Sequence, residues 1–232
     1  MCSISASESL DKLLELIELN RYRGEESHSI SQFKYDRREK SFKLISQHKS
    51  YGPLDVNNLR TNAWDYCVAH QQAPTGKEVN STDLATGRFI HPASSTTPYN
   101  SKLDKETLQR LATSHQITGE HMSYLWHNGI IKEGKYEGEW DTEWLHEKAL
   151  EEDLSNVDGT FACLMFRGSR FFVFRNEISP LFIEGTTLSS TKFNEAEPVD
   201  ANYFWHLDFT KSKLVTTRYS FDTKENPYYF GD

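Results

Sequence analysis

Strand-like runs cut by turn signals make up most of the legible chain, and the helical stretches are set among them. A chain ordered in this way must bury sheet faces and helix faces against one another, which reads as a layered α+β domain. Ser27–Tyr35 and Ser41–Lys49 form a hairpin pattern around the charged turn at Arg37 and Arg38. Trp64–His70 reads as a strand, and Tyr124–Trp126 as a shorter one running into His127-Asn128-Gly129. Thr160–Phe166, Arg170–Arg175, Leu181–Glu184 and Leu188–Thr191 read as a β-meander, followed by Tyr203–Phe209 and Lys213–Phe221. Residues 2–5 are a short strand.

Between these runs, Ala6–Arg21 carries Leu10, Leu13, Leu14 and Ile17 at the spacing of an amphipathic helix. Ser5 with Glu8 has the form of a capping box, Ser7 is the alternative cap, and Gly24 is a C-terminal stop. Asp141–Leu154 reads as a second helix with acids in its first turn. Residues 77–119 are rich in Ser, Thr and Pro apart from a helical stretch at Leu103–Ala112. So long a connection is uncommon inside a compact domain, and it reads as an insertion that covers substrate or faces a partner.

The 232 residues, 37 % hydrophobic and 13 % aromatic, supply one full core. A net charge of −8 argues against direct nucleic-acid binding and against anionic membranes. The basic run at 35–40 is interrupted by acids and reads as a solvated turn. No apolar stretch approaches the ~20 residues of a membrane span. The N-terminus has no basic region and no apolar signal core, its first charge being Glu8, so a cytoplasmic protein is expected.

Cys2, Cys67 and Cys163 are odd in number and show no zinc spacing, so no metal is expected. Cys67 and Cys163 lie in apolar runs and read as inert core residues. Cys2 is different. Cysteine is small enough for an aminopeptidase to remove the methionine ahead of it. That leaves a thiol on a residue with a free α-amine of pKa ~7.7–8, a base beside its own nucleophile.

Several segments then follow in order: Met1-Cys2-Ser3-Ile4; Arg23-Gly24-Glu25-Glu26-Ser27; and His70-Gln71-Gln72-Ala73-Pro74-Thr75-Gly76. After them come His91-Pro92, His127-Asn128-Gly129, Asp141-Thr142-Glu143 and Asp158-Gly159-Thr160-Phe161-Ala162. Arg175-Asn176, Pro180-Leu181 and Ser189-Ser190 complete the series. Over about residues 1–193 this series resembles the class II glutamine amidotransferase domain of the N-terminal-nucleophile hydrolases. The family has Met-Cys-Gly-Ile, Arg-Gly-x-Asp-Ser, His-x-Arg-x-x-Thr, His-Pro, His-Asn-Gly, Asp-Thr-Glu and Asp-Gly-x-[Tyr/Phe]-Ala at these places.

The resemblance implies a four-layer αββα sandwich. The chain would be a single domain over residues 1–232, with the 77–119 insertion and a C-terminal extension from about residue 195. It also implies a reaction: Cys2 attacks the side-chain amide of glutamine, a γ-glutamyl thioester forms, ammonia leaves, and water hydrolyses the thioester. No cofactor is required. The Asn128 amide and Gly129 N–H would hold the oxyanion, donors typically worth roughly 3–4 kcal/mol each. Asn-Gly is equally the pair of a type I′ hairpin turn. Asp141 would hold the glutamine α-ammonium and also start its helix. Arg23 would position the N-terminal segment. Gln72, Thr75 and His127 belong to the substrate-binding motifs; His70 and His127 read as buried, hydrogen-bonded histidines.

Gln72 departs from the family, which places there an arginine that grips the substrate carboxylate. Losing such a contact costs on the order of 2–3 kcal/mol. Lys77 or Arg88 could replace it, binding could be weak until a partner docks, or the substrate could be another amide. Too little chain follows residue 195 for an ammonia-using domain, so the resemblance implies a separate synthase or transferase as acceptor. Free-standing domains that the chain resembles are coded by phages and in gene clusters for nucleobase or cell-surface modification. Two alternatives stand beside the glutaminase: a binding or regulatory module that keeps the fold without the chemistry, and an amidase for another γ-glutamyl or acyl amide.

Overall fold

The computed structural model describes residues 2–60, 63–73, 95–98, 122–132 and 141–223. Among these, in chain order, are β1 (Ser3–Ser7), α1 (Leu10–Asn20), β2 (Ser27–Asp36), β3 (Ser41–Tyr51), β4 (Tyr66–Gln72), β5 (Ser95–Pro98) and β6 (Met122–Ile131). Then come α2 (Asp141–Leu150), β7 (Gly159–Arg167), β8 (Arg170–Arg175), β9 (Phe182–Glu184), β10 (Thr187–Ser189), β11 (Glu197–Pro198), β12 (Tyr203–Asp208) and β13 (Lys213–Ser220). A seven-stranded sheet runs β11-β9-β10-β1-β4-β2-β3, and a six-stranded sheet runs β13-β12-β8-β7-β6-β5. The fold is mixed α/β with antiparallel sheets. Among the described residues no helix is long and apolar enough to cross a membrane.

Period-two alternation divides the side chains of each sheet between two faces. Ile4, Ala6, Phe33, Tyr66 and Val68 of the first sheet meet Tyr124, Trp126, Ala162, Leu164, Phe166 and Phe171 of the second in one buried cluster. On the opposite face of the first sheet, Leu13 and Ile17 of α1 pack on Ile30, Cys67 and Ala69. On the opposite face of the second, Leu145 and Ala149 of α2 pack on Leu125, Ile131, Phe161 and Cys163. Both Cys67 and Cys163 are thus core residues, and burial raises both thiols.

The inter-sheet face changes character along its length. At one end are Phe33, Phe42, Tyr66, Phe166 and Phe171, with Phe33–Phe166 and Phe33–Phe171 ring centroids 4.7 and 4.8 Å apart. Toward the other end the same strand faces turn polar. β4 reads Tyr66, Val68, His70, Gln72; β2 reads Phe33, Ser31, Ser29, Ser27; β6 reads Tyr124, Trp126, Asn128. β1 reads Ala6, Ile4 and, just ahead of the strand, Cys2. His70 Nε2 donates to the His127 carbonyl oxygen at 2.9 Å, tying the two sheets together where the apolar cluster gives way.

Five expectations are corrected. The first helix starts at Leu10, with Ser9 as N-cap accepting from Lys12 N. Neither Ser5 nor Ser7 caps it, because the chain is still paired between β10 and β4 through that stretch. His127-Asn128-Gly129 is no turn: it lies within β6, with Asn128 opposite Ala162 and Gly129 opposite Phe161. The supposed meander is split, since β7 and β8 join one sheet while β9 and β10 join the other. The second helix stops at Leu150, because Glu152 and Asn156 take positive φ angles of 53° and 67°. The strand expected at Trp64–His70 runs two residues later, over Tyr66–Gln72. Of the 77–119 insertion only β5 is described, and the Leu103–Ala112 helix lies outside the described residues.

Candidate active site

Cys2 is half-buried at the head of β1, an interior strand of the seven-stranded sheet. β1 pairs with β4 so that Ser3 lies opposite Gln71 and Ile4 opposite His70, which carries Cys2 alongside Gln72. The strand is held on its other side as well. Ile4 N donates to Ser190 Oγ at 2.9 Å, and Ser190 N donates to Ile4 O at 3.0 Å. Arg23, buried in the short 3₁₀ turn after α1, donates from Nε to the Cys2 carbonyl at 3.0 Å. The guanidinium thus holds the backbone at the head of β1 from a buried position. Gly24 follows in extended backbone. A Cβ there would stand 2.3 Å from Ala73 N and from the Gln72 carbonyl carbon, so only glycine lets this turn press on the end of β4.

Burial pushes the Cys2 thiol up to about 11. The Ala73 backbone N–H, which hydrogen-bonds the sulfur, and the Arg23 guanidinium draw it down, while the Asp141 carboxylate pushes it up. At neutral pH the thiol keeps its proton, so nucleophilic chemistry here needs a base.

Asp141 opens α2. Its Oδ1 accepts from Thr142 N at 2.8 Å and its Oδ2 from Ile131 N at 3.2 Å, which fixes the carboxylate to the end of β6. His127 is buried; its Nε2 donates to Thr160 O at 3.4 Å and its Nδ1 lies 3.1 Å from Thr142 Oγ1. This ring is a strut between β6, β7 and α2.

Gly129 has no room for a side chain: a Cβ would sit 1.9 Å from Thr160 O. Its N–H direction follows from the ladder. Lys132 N donates to Asp158 O at 2.8 Å and Ile130 N to Thr160 Oγ1 at 3.1 Å, so the even-numbered residues of β6 bond toward β7. Alternation then turns the Gly129 N–H the other way. On that side the described part of β5 reaches only to Leu125. Asn128, on the inward face with Tyr124 and Trp126, brings its amide to the polar end of the inter-sheet space.

Gln72 faces the same space. Its Oε1 accepts from Ser27 Oγ, directly opposite on β2, at 2.6 Å. Thr75, Lys77, Arg88 and His91-Pro92 lie outside the described residues. The structure thus brings Cys2, Arg23, Gln72 and Asp141 to one end of the molecule and Asn128, Gly129 and His127 to the facing sheet. The Ala73 N–H, the Ser27 anchor of Gln72 and the Gly24 contact carry no side-chain signature and were not legible. Among the described residues no group of three or more His, Cys, Asp or Glu could hold a metal ion.

Glutamine phosphoribosylpyrophosphate amidotransferase from B. subtilis, solved with ADP and GMP, superposes with a TM-score of 0.58 over 95 % of this chain at 14 % identity. The allosteric regulatory enzyme of purine biosynthesis superposes with a TM-score of 0.53 over 95 % at 12 % identity. Over that length the chain shares the fold of these two solved amidotransferase chains. It spans about half the length of these solved chains, covering 49 % of each. No protein-family model matches the sequence, and no curated protein matches it significantly. At such identities the likeness concerns the amidotransferase fold, and the chemistry rests on the residues just described.

A second serine–histidine pair is structural. His146 of α2 and Ser123 of β6 are fully buried, with Nε2 2.8 Å from Oγ, and the Ser123 hydroxyl donates to Phe166 O at 3.0 Å. A hydroxyl spent on a carbonyl has no proton to give the imidazole, so the pair is no nucleophile–base unit.

Proposed function

We propose that the chain is a glutamine-hydrolysing amidotransferase subunit that works through Cys2. After removal of Met1, the Cys2 α-amine takes the thiol proton and the sulfur attacks the carboxamide carbon. The oxyanion of the tetrahedral intermediate is held by the Asn128 amide and the Gly129 N–H. The intermediate collapses as the amine returns its proton to the leaving nitrogen, so ammonia departs and a γ-glutamyl thioester remains. Water adds to the thioester with the same amine as base, releasing glutamate and the thiol. Asp141 pairs with the substrate α-ammonium, and Arg23, through the Cys2 carbonyl, keeps the nucleophile in line. Thr75 belongs to the substrate end of the loop after β4. The ammonia passes to a separate synthase or transferase.

The observation that carries this reading is the placement of Cys2 at the head of an interior strand, its carbonyl held by the buried Arg23, at the polar end of the inter-sheet space. Intact mass spectrometry with a glutamine-analogue diazoketone tests it. Loss of one methionine mass and gain of one adduct, abolished in Cys2→Ala, are expected. A retained methionine, or a processed chain that takes no adduct, overturns it.

A second reading, an amidase for a different amide, is favoured by Gln72, whose carbonyl is committed to Ser27 and whose amide brings no charge. A panel of γ-glutamyl and acyl amides compared with glutamine separates the two.

A further inference from the structure

Among the described residues, the polar end of the inter-sheet space includes a lysine that lies outside the substrate-binding motifs. Lys49 lies on β3 directly opposite Ser29, and Ser29 lies directly opposite His70. Residues paired in this way share a face. His70 reaches across to the second sheet, so Lys49 projects toward that sheet too. Its neighbour on the same face confirms the direction: Gln47 Nε2 donates to Ser31 Oγ at 3.2 Å, and Ser31 lies opposite the core residue Val68. A one-residue shift in register between Gln32 and Phe33 lets β3 carry Phe42 and Leu44 inward at one end and Gln47 and Lys49 inward at the other.

The field around Lys49 ties it to the candidate site. Burial draws its ammonium down to about 8, while the Glu143 carboxylate holds it up. Glu143 and Asp141 share the first turn of α2, and Asp141 acts on the Cys2 thiol. The first turn of α2 thus carries one acid whose field acts on the nucleophile and one whose field acts on the lysine. Three strand spacings separate β1 from β3, about 14 Å. Between them lie β4 and β2, whose inward residues at this end are His70 and Gln72, and Ser27 and Ser29.

Resting on the amide-hydrolase reading above, we propose that Lys49 binds the substrate carboxylate and takes over the duty that an arginine at position 72 would perform. The site then accepts amides that carry a carboxylate at the end remote from the reacting carbon. Asp141 takes the ammonium of that same end, and the neutral Gln72, held by Ser27, lines the path between.

The test uses the full processed chain and three substitution states: wild type, Lys49→Met and Lys49→Arg. Two substrates are compared: glutamine, and 4-aminobutanamide, which keeps the amine and the amide but lacks the carboxylate. Lys49→Met is expected to raise the glutamine KM about 10- to 100-fold with little change in kcat. It is expected to leave kcat/KM for 4-aminobutanamide as in wild type, and Lys49→Arg is expected to recover most of the glutamine affinity. Equal glutamine KM in wild type and Lys49→Met overturns the inference, and so does an equal loss on both substrates, which marks a structural lysine. A wild-type chain that neither releases ammonia nor takes the diazoketone adduct overturns the amide-hydrolase reading itself, and the inference falls with it.

Discussion

The two ends of the inter-sheet space are built from the same strands with the same alternation, yet they do opposite work. At one end Phe33, Phe42, Tyr66, Phe166, Phe171 and Phe209 interlock, with ring centroids as close as 4.4 Å for Phe42–Phe209. At the other end the inward positions are Cys2, Ser27, Ser29, Lys49, His70, Gln72 and Asn128. Burying serines, a lysine and carboxamides between two sheets costs free energy unless they are hydrogen-bonded. The aromatic end holds the sheets together, and the polar end is left open to chemistry. On the proposed reading, function sits at one end of a core and not on a loop added to it.

The largest effect that would break this contrast is on stability. Phe171→Ala opens a cavity among five ring partners and should lower the unfolding free energy by about 3–5 kcal/mol, read as a fall in the denaturant midpoint. The rate of Cys2 labelling in the folded fraction should not change; a proportionate loss of labelling would mean that the two ends are not separable.

The next effect is a pH slope. Burial, with the Arg167 charge, draws the His146 imidazole down to about 3. The unfolded chain takes up that proton near 6.5 and the folded chain does not, so stability must fall as pH drops below about 6.5. Acidification from pH 7 to pH 5 should cost about 2 kcal/mol in wild type and less in His146→Gln. Equal slopes in the two proteins would show that His146 is not the group responsible.

The smallest effect sharpens the polar end. Ser27→Ala leaves Gln72 Oε1 without its donor and should cost about 1–2 kcal/mol of stability. A variant as stable as wild type would show that Gln72 finds another partner and that its orientation is not set from β2.

The β2–β3 hairpin and β8 were legible because each is a local pattern: alternating residues bounded by turn chemistry, with Arg170–Arg175 matching at both ends. Cys67 and Cys163 were legible from their apolar surroundings. The extended path through Asn128-Gly129 was not, because the dipeptide favours a tight turn by itself, and only pairing with Ala162 and Phe161 of β7 keeps it extended. The inward serines of β2 were hidden for a related reason. β2 is buried on both faces there, with Ser27, Ser29 and Ser31 turned to the inter-sheet space, so the usual rule that the polar side faces water fails. Lys49 looks like an ordinary edge-strand lysine until the irregularity at Gln32 is taken into account. The split of β9 and β10 from β7 and β8 depends on which sheet each strand joins, and no local signal reports that.

Gly24 carries a consequence for how variation in this protein would be interpreted. It supplies no reacting group, yet any Cβ there pushes on the Gln72–Ala73 peptide, whose N–H bonds the Cys2 sulfur. In a saturation library scored by turnover, position 24 would be as intolerant as the nucleophile itself. Tolerance maps of this fold would therefore record mechanical coupling as though it were chemistry, and a glycine would be counted among the residues that react.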